Sequence, residues 1–342
     1  MSDFLKMLVK ELRDEDTSMA DDGNGSAEFG GFIDTGSFAL NAVLSGSLIG
    51  GVPDNKITAF AGESATGKTF FVLGIVKSFL EKNPTGGVVY YDTEAAITKQ
   101  MMQDRGIDTS RVIIAEPDTI QKFKTHALKL IDSYDRQDAK TRPPMMFVLD
   151  SLGMLSTSKE MDDSLEGKDT RDMTKSQIIK AAFRVLTLKL ARVKIPLLVT
   201  NHVYELVGSY VPTKEISGGT GLKYAASTIA MLSKRKEKDG TDVIGNIIKV
   251  KMHKSRLSKE NSQIEVLLTY AKGLDRYYGL LELAEKYKIF KKVSTRYQLP
   301  DGTSCFGKNI NEDPEKYYTE EVMNLLEEAV AKEFKYGVNE DE

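Results

Sequence analysis

The chain has 342 residues, 41% of them hydrophobic and 28% charged, and a formal net charge of −3. This composition suffices for a buried core, and no apolar run approaches the length of a membrane span. Cys305 is the only cysteine, which excludes an internal disulfide, and the three scattered histidines lack zinc-site spacing. The first residues lack the basic end and apolar centre of a signal peptide. We therefore expect no membrane segment and a reducing, cytosolic compartment.

The charge is distributed unevenly along the chain. Residues 11–30 have a balance of −6 and residues 311–342 a balance of −8, so the remaining body carries +11 against the total of −3. A basic body with acidic ends is typical of a polyanion binder whose tails compete with the ligand. Charge alone also allows the alternative of a solvated surface with solubilising termini.

The N-terminal segment predicts a short arm. Over residues 4–13 the apolar side chains fall on one stripe of a helix: Phe4, Leu5, Leu8, Val9 and Leu12. Residues 14–28 are acidic and rich in glycine and serine, which is typical of a flexible linker. Because such a helix has no core of its own, we expect it to dock on its own body or on a neighbouring subunit. Residues 34–37 then predict a turn or cap before an apolar run.

The next segment predicts a nucleotide site. A short apolar strand over residues 57–61 is followed by a G-x-x-x-x-G-K-T pattern and an apolar helix start, the context of a phosphate-binding loop. Gly62 and Gly67 allow the backbone to fold around phosphate with its N–H groups inward. Lys68 reaches the β- and γ-phosphates, and the Thr69 hydroxyl ligates Mg²⁺. The predicted nucleotide-binding residues are Gly62, Glu63, Ser64, Ala65, Thr66, Gly67, Lys68 and Thr69.

Downstream of the loop, apolar runs alternate with helical segments. The predicted strands are 88–92, 112–114, 145–150 and 195–200, and the helices between them are 97–105, 119–134 and 172–193. Such alternation predicts a parallel sheet covered on both faces. Beyond Gly218, the runs 228–232, 244–252 and 264–268 predict an antiparallel extension. The segment 280–287, a hairpin near Asp301 and an acidic helix over 319–334 predict a small C-terminal unit.

Two carboxylates follow predicted strands. Asp150 ends the strand 145–150 and precedes Ser151, an arrangement that orients Mg²⁺ through water in phosphate-loop enzymes. Glu94 lies just beyond the strand 88–92, where the sheet edge faces the γ-phosphate. A carboxylate there can align and deprotonate an attacking water. The alternative is that Glu94 only caps the next helix.

A third strand end carries His202, which can donate to the γ-phosphate and sense its presence. Residues 203–217 then predict a long loop without a pattern of its own, which is more often functional than idle. Its Tyr204, Tyr210 and Lys214 suit base stacking and phosphate contact on DNA. A second polar loop is predicted over 153–172; its mixed charge, including Arg171, makes it a weaker candidate for DNA contact.

A basic cluster lies farther along the chain. Lys249, Lys251, Lys254 and Arg256 fall in one predicted strand and the turn after it, and no acidic residue lies between residues 245 and 259. Alternation puts Lys249 and Lys251 on one face. Surface solvation is the alternative to contact with an anionic partner.

Taken together, these motifs carry a family resemblance. The segments GESATGKT, YYDTE, MFVLDS, TNH and SGGTGLKYAAS occur in the order and at the spacing of RecA-fold recombinases, over about residues 30–290. The histidine of TNH and the runs 171–174 and 253–256 look most like the uvsX-type recombinases of T-even-like phages. The resemblance implies an α/β, RecA-like P-loop ATPase core with a doubly wound, mostly parallel sheet and an antiparallel extension. The domains would be a docking arm with its acidic linker (1–30), the core (31–290) and a small C-terminal unit with an acidic helix and tail (291–342).

The resemblance also implies a function. The chain would be an ATP- and Mg²⁺-dependent recombinase that forms a helical filament on single-stranded DNA and exchanges strands with double-stranded DNA. Single-strand-binding and mediator or loader proteins would be its partners, in the cytoplasm of a host cell. By this resemblance, Glu94 would be the catalytic glutamate, Lys68 and Thr69 would be the phosphate-loop pair, and Asp150 would be the Mg²⁺ partner. His202 would take a position that is held by glutamine in bacterial members. Lys254, with Arg256, would reach the γ-phosphate of a neighbouring subunit. The segments 153–172 and 203–217 would match the two DNA-binding loops.

Some features depart from the family. The adenine-stacking tyrosine of bacterial members is replaced near Met101, the bacterial C-terminal domain is shortened to residues 300–342, and no helix-hairpin-helix domain precedes the core. One alternative is a ring-forming helicase or regulatory ATPase on the same core, although 30 residues leave no room for a helicase's accessory N-terminal domain. Another is a mediator that binds nucleotide without turnover, for which a base at Glu94 would be unnecessary.

Overall fold

The computed structural model describes residues 2–12, 17–23, 25, 27–28, 30–168, 172–205, 214–270 and 273–337, with the backbone alone at Ser2, Glu205, Lys214 and Asp239. The strands are β1 (Phe32–Ile33), β2 (Val52–Pro53), β3 (Ile57–Gly62), β4 (Gly87–Asp92), β5 (Val112–Ala115), β6 (Met145–Asp150), β7 (Leu197–Glu205), β8 (Lys214–Ile216), β9 (Thr228–Asp239), β10 (Asp242–Ser255), β11 (Gln263–Thr269), β12 (Gly273–Leu274), β13 (Lys291–Val293), β14 (Arg296–Gln298) and β15 (Ser304–Phe306). The helices are α1 (Ser2–Leu12), α2 (Phe38–Ser45), α3 (Lys68–Lys82), α4 (Lys99–Gln103), α5 (Ile120–Asp135), α6 (Ser158–Leu165), α7 (Lys175–Arg192), α8 (Thr220–Ala225), α9 (Leu280–Lys286), α10 (Gly307–Glu312), α11 (Pro314–Tyr317) and α12 (Glu320–Phe334).

In the described part of the chain, one large sheet organises the protein. Its order is β12-β11-β10-β9-β3-β7-β6-β4-β5, with β8 paired to β7. The strands from β3 to β5 run parallel, and β9 pairs in parallel with β3 as far as Leu232. Beyond Leu232, β9 pairs only with β10, and this end of β9 forms the antiparallel part of the sheet together with β10, β11 and β12. The predicted α/β fold with its antiparallel extension is confirmed. Helices α2, α3 and α12 cover one face of the sheet, and α5 and α7 cover the other.

Two predicted loops are partly regular, so those predictions were wrong in part. β7 does not stop at His202 but continues to Glu205 and pairs with β8, with Val203 opposite Ile216. Residues 203–217 therefore include a hairpin whose connection lies outside the described residues. Within 153–172, helix α6 begins with a capping box between Thr157 and Glu160, a local signal that stabilises a helix start.

The predicted strand 112–114 is confirmed as β5, which is an edge of the sheet. Ile113 is 58% exposed and Ile114 is 42% exposed. An apolar run cannot by itself distinguish a central strand from an edge strand that has a neighbour on one side only.

The C-terminal helix α12 belongs to the core. It buries Val322, Leu326, Val330 and Phe334 in the same cluster as the apolar residues of α2. The Glu327 carboxylate accepts a hydrogen bond from the backbone N–H of Leu48 at 2.6 Å. The predicted boundary at residue 290 stays a prediction, but α12 closes one face of the sheet.

The N-terminal arm exposes its apolar stripe: Phe4 is 58% and Leu12 64% exposed. The end of the linker is attached to the body, because the carbonyls of Ala27 and Glu28 accept hydrogen bonds from Lys56 and Asn55. Docking of the arm on another protomer stays a prediction. Among the described helices, none has both the length and the apolar character needed to cross a bilayer.

Candidate nucleotide site

The phosphate loop lies between β3 and α3, at the carboxyl edge of the sheet. Gly67 has φ 88, in the left-handed region that favours glycine. A Cβ on Gly62 would lie 2.7 Å from the Thr66 hydroxyl and 2.8 Å from the carbonyl of Leu232, so the turn needs glycine there. Lys68 Nζ donates to the carbonyls of Gly62 at 3.1 Å and Glu63 at 2.8 Å. The loop thus adopts the turn that its sequence predicts, and the ammonium group of Lys68 is hydrogen-bonded to the loop backbone.

Burial lowers the pKa of Lys68. The nearby charges of Glu94 and Asp150 oppose that shift, and the charge of Lys234 adds to it. Two carboxylates and a second lysine therefore act on this ammonium group. A polyphosphate would supply further negative charge in the same place.

Asp150 ends β6 and is buried under three hydroxyl donors. Its Oδ2 accepts from Thr69 Oγ1 at 2.8 Å and from the Tyr90 hydroxyl at 2.7 Å, and its Oδ1 accepts from Thr200. Burial and then the charge of Asp150 raise the pKa of Tyr90 well above its usual value, so the phenol remains a donor. The hydroxyl of Thr69 and the carboxylate of Asp150 are hard oxygen ligands of the kind that Mg²⁺ prefers.

Glu94 is not a helix cap, because α4 is capped by Thr98, whose hydroxyl accepts from the N–H of Met101. Instead, the Asp92 carboxylate accepts from the N–H of Glu94 at 3.0 Å and from that of Ile97 at 2.9 Å. These two bonds fix the turn after β4. The turn directs Glu94 along the carboxyl edge of the sheet.

The carboxylate of Glu94 is held on one oxygen. Oε1 accepts from Ser151 Oγ at 2.8 Å and lies 2.9 Å from His202 Nε2. Burial alone would raise the pKa of Glu94, but the hydrogen bonds from His202 and Ser151 outweigh it and hold the pKa below its usual value. Oε2 has no partner among the described residues. The side chain is therefore ionised, oriented and open on one side.

Sequence reasoning missed three of these partners. It did not predict the contact of His202 with Glu94, and the predicted role of His202 at the γ-phosphate stays a prediction. It also passed over Tyr90 and Thr200, which bind Asp150 from the strands on either side of β6. A polar residue inside an otherwise apolar buried strand was the available signal for both.

These residues line a cavity of about 420 Å³. The phosphate loop, Glu94, Asp150 and His202 form one part of its lining. Met101, on α4, and Tyr270, just after β11, also line it, and Tyr270 is 66% exposed. Tyr270 was not predicted from the sequence, in which an aromatic residue shortly after a predicted strand of the antiparallel extension was the available signal.

Lys254 and Arg256 lie outside this lining. In β10 the pairing register with β9 shifts between Met252 and Lys254, which marks a bulge at His253. Lys254 Nζ donates to the carbonyls of Lys223 at 2.6 Å and Tyr224 at 3.3 Å, at the C-terminal end of α8. Burial and then the charge of Arg256 lower the pKa of Lys254. Within one protomer, Lys254 is thus a cap for α8.

Two of the four predicted DNA-binding residues lie in the part of the chain that the structure describes. Tyr204 lies in β7, is 45% exposed and donates its hydroxyl to Glu215 at 3.4 Å. Lys214 begins β8, and only its backbone is described. Arg171 and Tyr210 lie outside the described residues. These assignments stay predictions.

The sheet order and the phosphate loop at its carboxyl edge define the class: a P-loop nucleotide-binding protein with a RecA-like core. Residues 16–275 match the model of the RecA N-terminal domain. The chain is 32% identical to the "Recombination and repair protein" of Enterobacteria phage T4 over 72% of this chain and 61% of that protein. It is 27% identical to "Protein RecA" of Malacoplasma penetrans (strain HF-2), over 88% of this chain and 92% of the relative. "Protein RecA" of Deinococcus radiodurans is 29% identical, over 81% of this chain and 73% of the relative.

The chain therefore belongs to the RecA family, a family of ATP-dependent recombinases. This confirms the resemblance drawn from the motifs. The matched region spans less than two thirds of the phage relative's length. The activity of the whole protein is therefore proposed below from the geometry of the site.

Proposed function

We propose that this protein is a DNA-dependent ATPase that forms helical filaments on single-stranded DNA and catalyses homologous pairing and strand exchange. Family membership supports the class of activity. The observation that carries the enzymatic part is Glu94, which is ionised, fixed on Oε1 by Ser151 and His202, and open at Oε2 beside the phosphate loop. A nucleotide site without turnover would not need such a carboxylate.

The geometry supports a division of labour around ATP. The loop N–H groups wrap the phosphates, and Lys68 leaves the carbonyls of Gly62 and Glu63 to bind the β- and γ-phosphates. Thr69 and Asp150 would hold Mg²⁺, which neutralises phosphate charge when bound. Glu94 orients a water through Oε2 and accepts its proton. His202, in contact with Glu94, links the state of the γ-phosphate to β7 and to the hairpin that follows.

The remaining assignments extend beyond one protomer. Lys254 and Arg256 act on the γ-phosphate of a neighbour, and the segments 153–172 and 203–217 contact DNA, with Arg171, Tyr204, Tyr210 and Lys214 as the contacting residues. Single-strand-binding and mediator proteins are the expected partners, and the cytoplasm of a host cell is the expected compartment. The positive balance of the body outside the two acidic ends supports a polyanionic ligand.

The test is single-turnover ATP hydrolysis with and without single-stranded DNA, with electron microscopy of the same samples. We expect DNA to stimulate hydrolysis and helical filaments to appear on the DNA. Lys68→Ala is the control that should abolish hydrolysis, because it removes the cation from the transferred phosphate. Normal DNA-stimulated turnover by Lys68→Ala would contradict the nucleotide site. Closed rings on DNA would favour a helicase instead.

A further inference from the structure

The nucleotide cavity has a wall that the phosphate-loop motif does not supply. Lys234 and Lys236 of β9 and Asn246 of β10 line it. Because side chains alternate along a strand, these two lysines share one face of β9. Arg235, between them, lies on the other face and pairs with Glu265 at 2.7 Å. Two of three consecutive cations are thus directed to the cavity.

Lys234 contacts the phosphate loop directly. Its Nζ donates to the carbonyl of Ala65 at 2.6 Å. Ala65 has φ 56, in the left-handed region that residues with a Cβ rarely adopt. Such a conformation persists where surrounding contacts hold it. The hydrogen bond from Lys234 therefore ties this strained residue of the loop to the antiparallel part of the sheet.

Lys236 has a different situation. It lies directly opposite Asn246, which in turn lies directly opposite Leu268 on β11. These three side chains form one row across three strands, and all three line the cavity. The side chain of Lys236 is exposed and forms no hydrogen bond or ion pair with any residue that the structure describes. Its ammonium group is therefore available to a ligand in the cavity.

The net charge of the residues that line the cavity indicates the charge of the ligand that the cavity can bind. Apart from the two β9 lysines, the charged groups are Lys68 against the carboxylates of Glu94 and Asp150, with His202 counted as neutral. That balance is negative and would repel a polyphosphate. The β9 lysines reverse its sign, which favours an anionic ligand at the phosphate loop.

We infer that Lys234 and Lys236 form a second nucleotide-binding element within the same protomer. Lys236 binds the phosphate chain of the nucleotide, and Lys234 is a positioning residue that holds the loop at Ala65. The inference rests on the proposed nucleotide site. It differs from the role given to Lys254, since the β9 lysines reach the nucleotide of their own chain and need no neighbour.

The experiment measures the Kd of ATP and ADP for the full chain without DNA, at low and high salt. The double variant Lys234→Ala/Lys236→Ala should bind both nucleotides about 10- to 100-fold more weakly, as expected for the loss of hydrogen bonds to charged groups. Its affinity should also fall less steeply with salt. Arg235→Ala is the matched control, from the same strand with the same charge on the opposite face, and should leave the Kd unchanged.

A second readout separates positioning from charge. Lys234→Ala should raise KM more than it lowers kcat, and Lys234→Arg should restore KM because arginine keeps a donor for the Ala65 carbonyl. An unchanged Kd in the double variant, or an equal loss in Arg235→Ala, would overturn the inference. So would a loss of DNA affinity without a loss of ATP affinity. In each case intact hydrolysis by the wild type and its loss in Lys68→Ala would leave the proposed function in place.

Discussion

The parallel and antiparallel parts of the sheet differ in the hydrogen-bond partners of their charged side chains. In the parallel part, the side chains of Glu94, Asp150 and His202 are hydrogen-bonded to one another or to nearby hydroxyl groups. In the antiparallel part, the side chains of Lys236, Lys249 and Lys251 form no hydrogen bond or ion pair within the described residues, and those of Lys234 and Lys254 donate only to backbone carbonyls.

This difference indicates which parts of the site are complete in a single protomer. The proposed catalytic carboxylate and the proposed metal ligands take their orientation from hydrogen-bond partners within the same protomer. In the antiparallel part, Arg235 pairs with Glu265. The lysine side chains named above have no carboxylate partner among the described residues and can bind an anion. We therefore expect changes in the parallel part to affect the chemical step, and changes in the antiparallel part to affect binding and assembly.

The largest effect is expected for Lys254→Ala. If Lys254 stabilises charge on a neighbour's γ-phosphate, its removal should lower the rate of DNA-stimulated hydrolysis by a factor of about 10³–10⁵, the usual effect of a cation supplied to the γ-phosphate by a neighbouring subunit. ATP binding through Lys68 should persist, as a nucleotide titration would show.

A mixing experiment tests whether Lys254 acts across the interface. Mixed filaments of Lys254→Ala and Glu94→Gln should recover part of the hydrolysis that neither variant shows alone, because a protomer with intact Lys254 can serve a neighbour with intact Glu94. Mixed filaments that form but recover no hydrolysis would place Lys254 in another role, such as capping α8.

Glu94→Gln should slow hydrolysis by about 10²–10⁴, the usual worth of a positioned general base. It should keep ATP and DNA binding, so filaments should persist longer under the electron microscope. Because the pKa of Glu94 is held below its usual value, its carboxylate stays ionised as pH falls from neutrality toward the usual carboxyl range. Glu94 should therefore cause no loss of wild-type turnover in that interval. Loss of ATP affinity without selective loss of turnover would contradict the assignment.

The paired change Tyr210→Ala and Lys214→Ala should weaken binding of single-stranded DNA while leaving ATP binding intact. A stacked aromatic contributes about 1–3 kcal/mol per base, and a lysine adds a salt-dependent phosphate contact. Filter binding at two salt concentrations measures both contributions. Equal affinity of variant and wild type at both concentrations would assign the β7–β8 hairpin to a different role.

The smallest effect is expected from the acidic tail. Removing residues 338–342 deletes three acidic groups that can compete with phosphates for the basic body, so DNA binding should tighten slightly and tolerate more salt. The truncation must spare α12: a deletion from Pro314 would remove six buried apolar side chains and change stability as well. Identical salt titrations for both proteins would leave the tail a solubilising segment.

The sequence predicted the fold well because its signals are local. Buried runs, helix caps and the phosphate loop follow from neighbouring residues. Strand ends also placed Asp150, Glu94 and His202 at one edge of the sheet, since the carboxyl ends of parallel strands meet there.

The contacts between those residues depend on strand order and register, which local patterns do not contain. Glu94 contacts both Ser151 and His202 only because β6 is inserted between β4 and β7. The bulge at His253 and the pairing of β7 with β8 depend on the partner strand in the same way. Exposure of β5 likewise follows from its place at the edge.

The packing of α12 on α2 has a consequence for how the chain is made. Leu48 and Glu327 are 279 residues apart, yet a hydrogen bond joins them. At roughly 5–20 residues per second of synthesis, about 15–60 s pass between the synthesis of α2 and that of α12, which packs on it. During that interval the nascent chain presents an incomplete apolar surface on α2, so this face of the sheet is completed only after α12 has been synthesised.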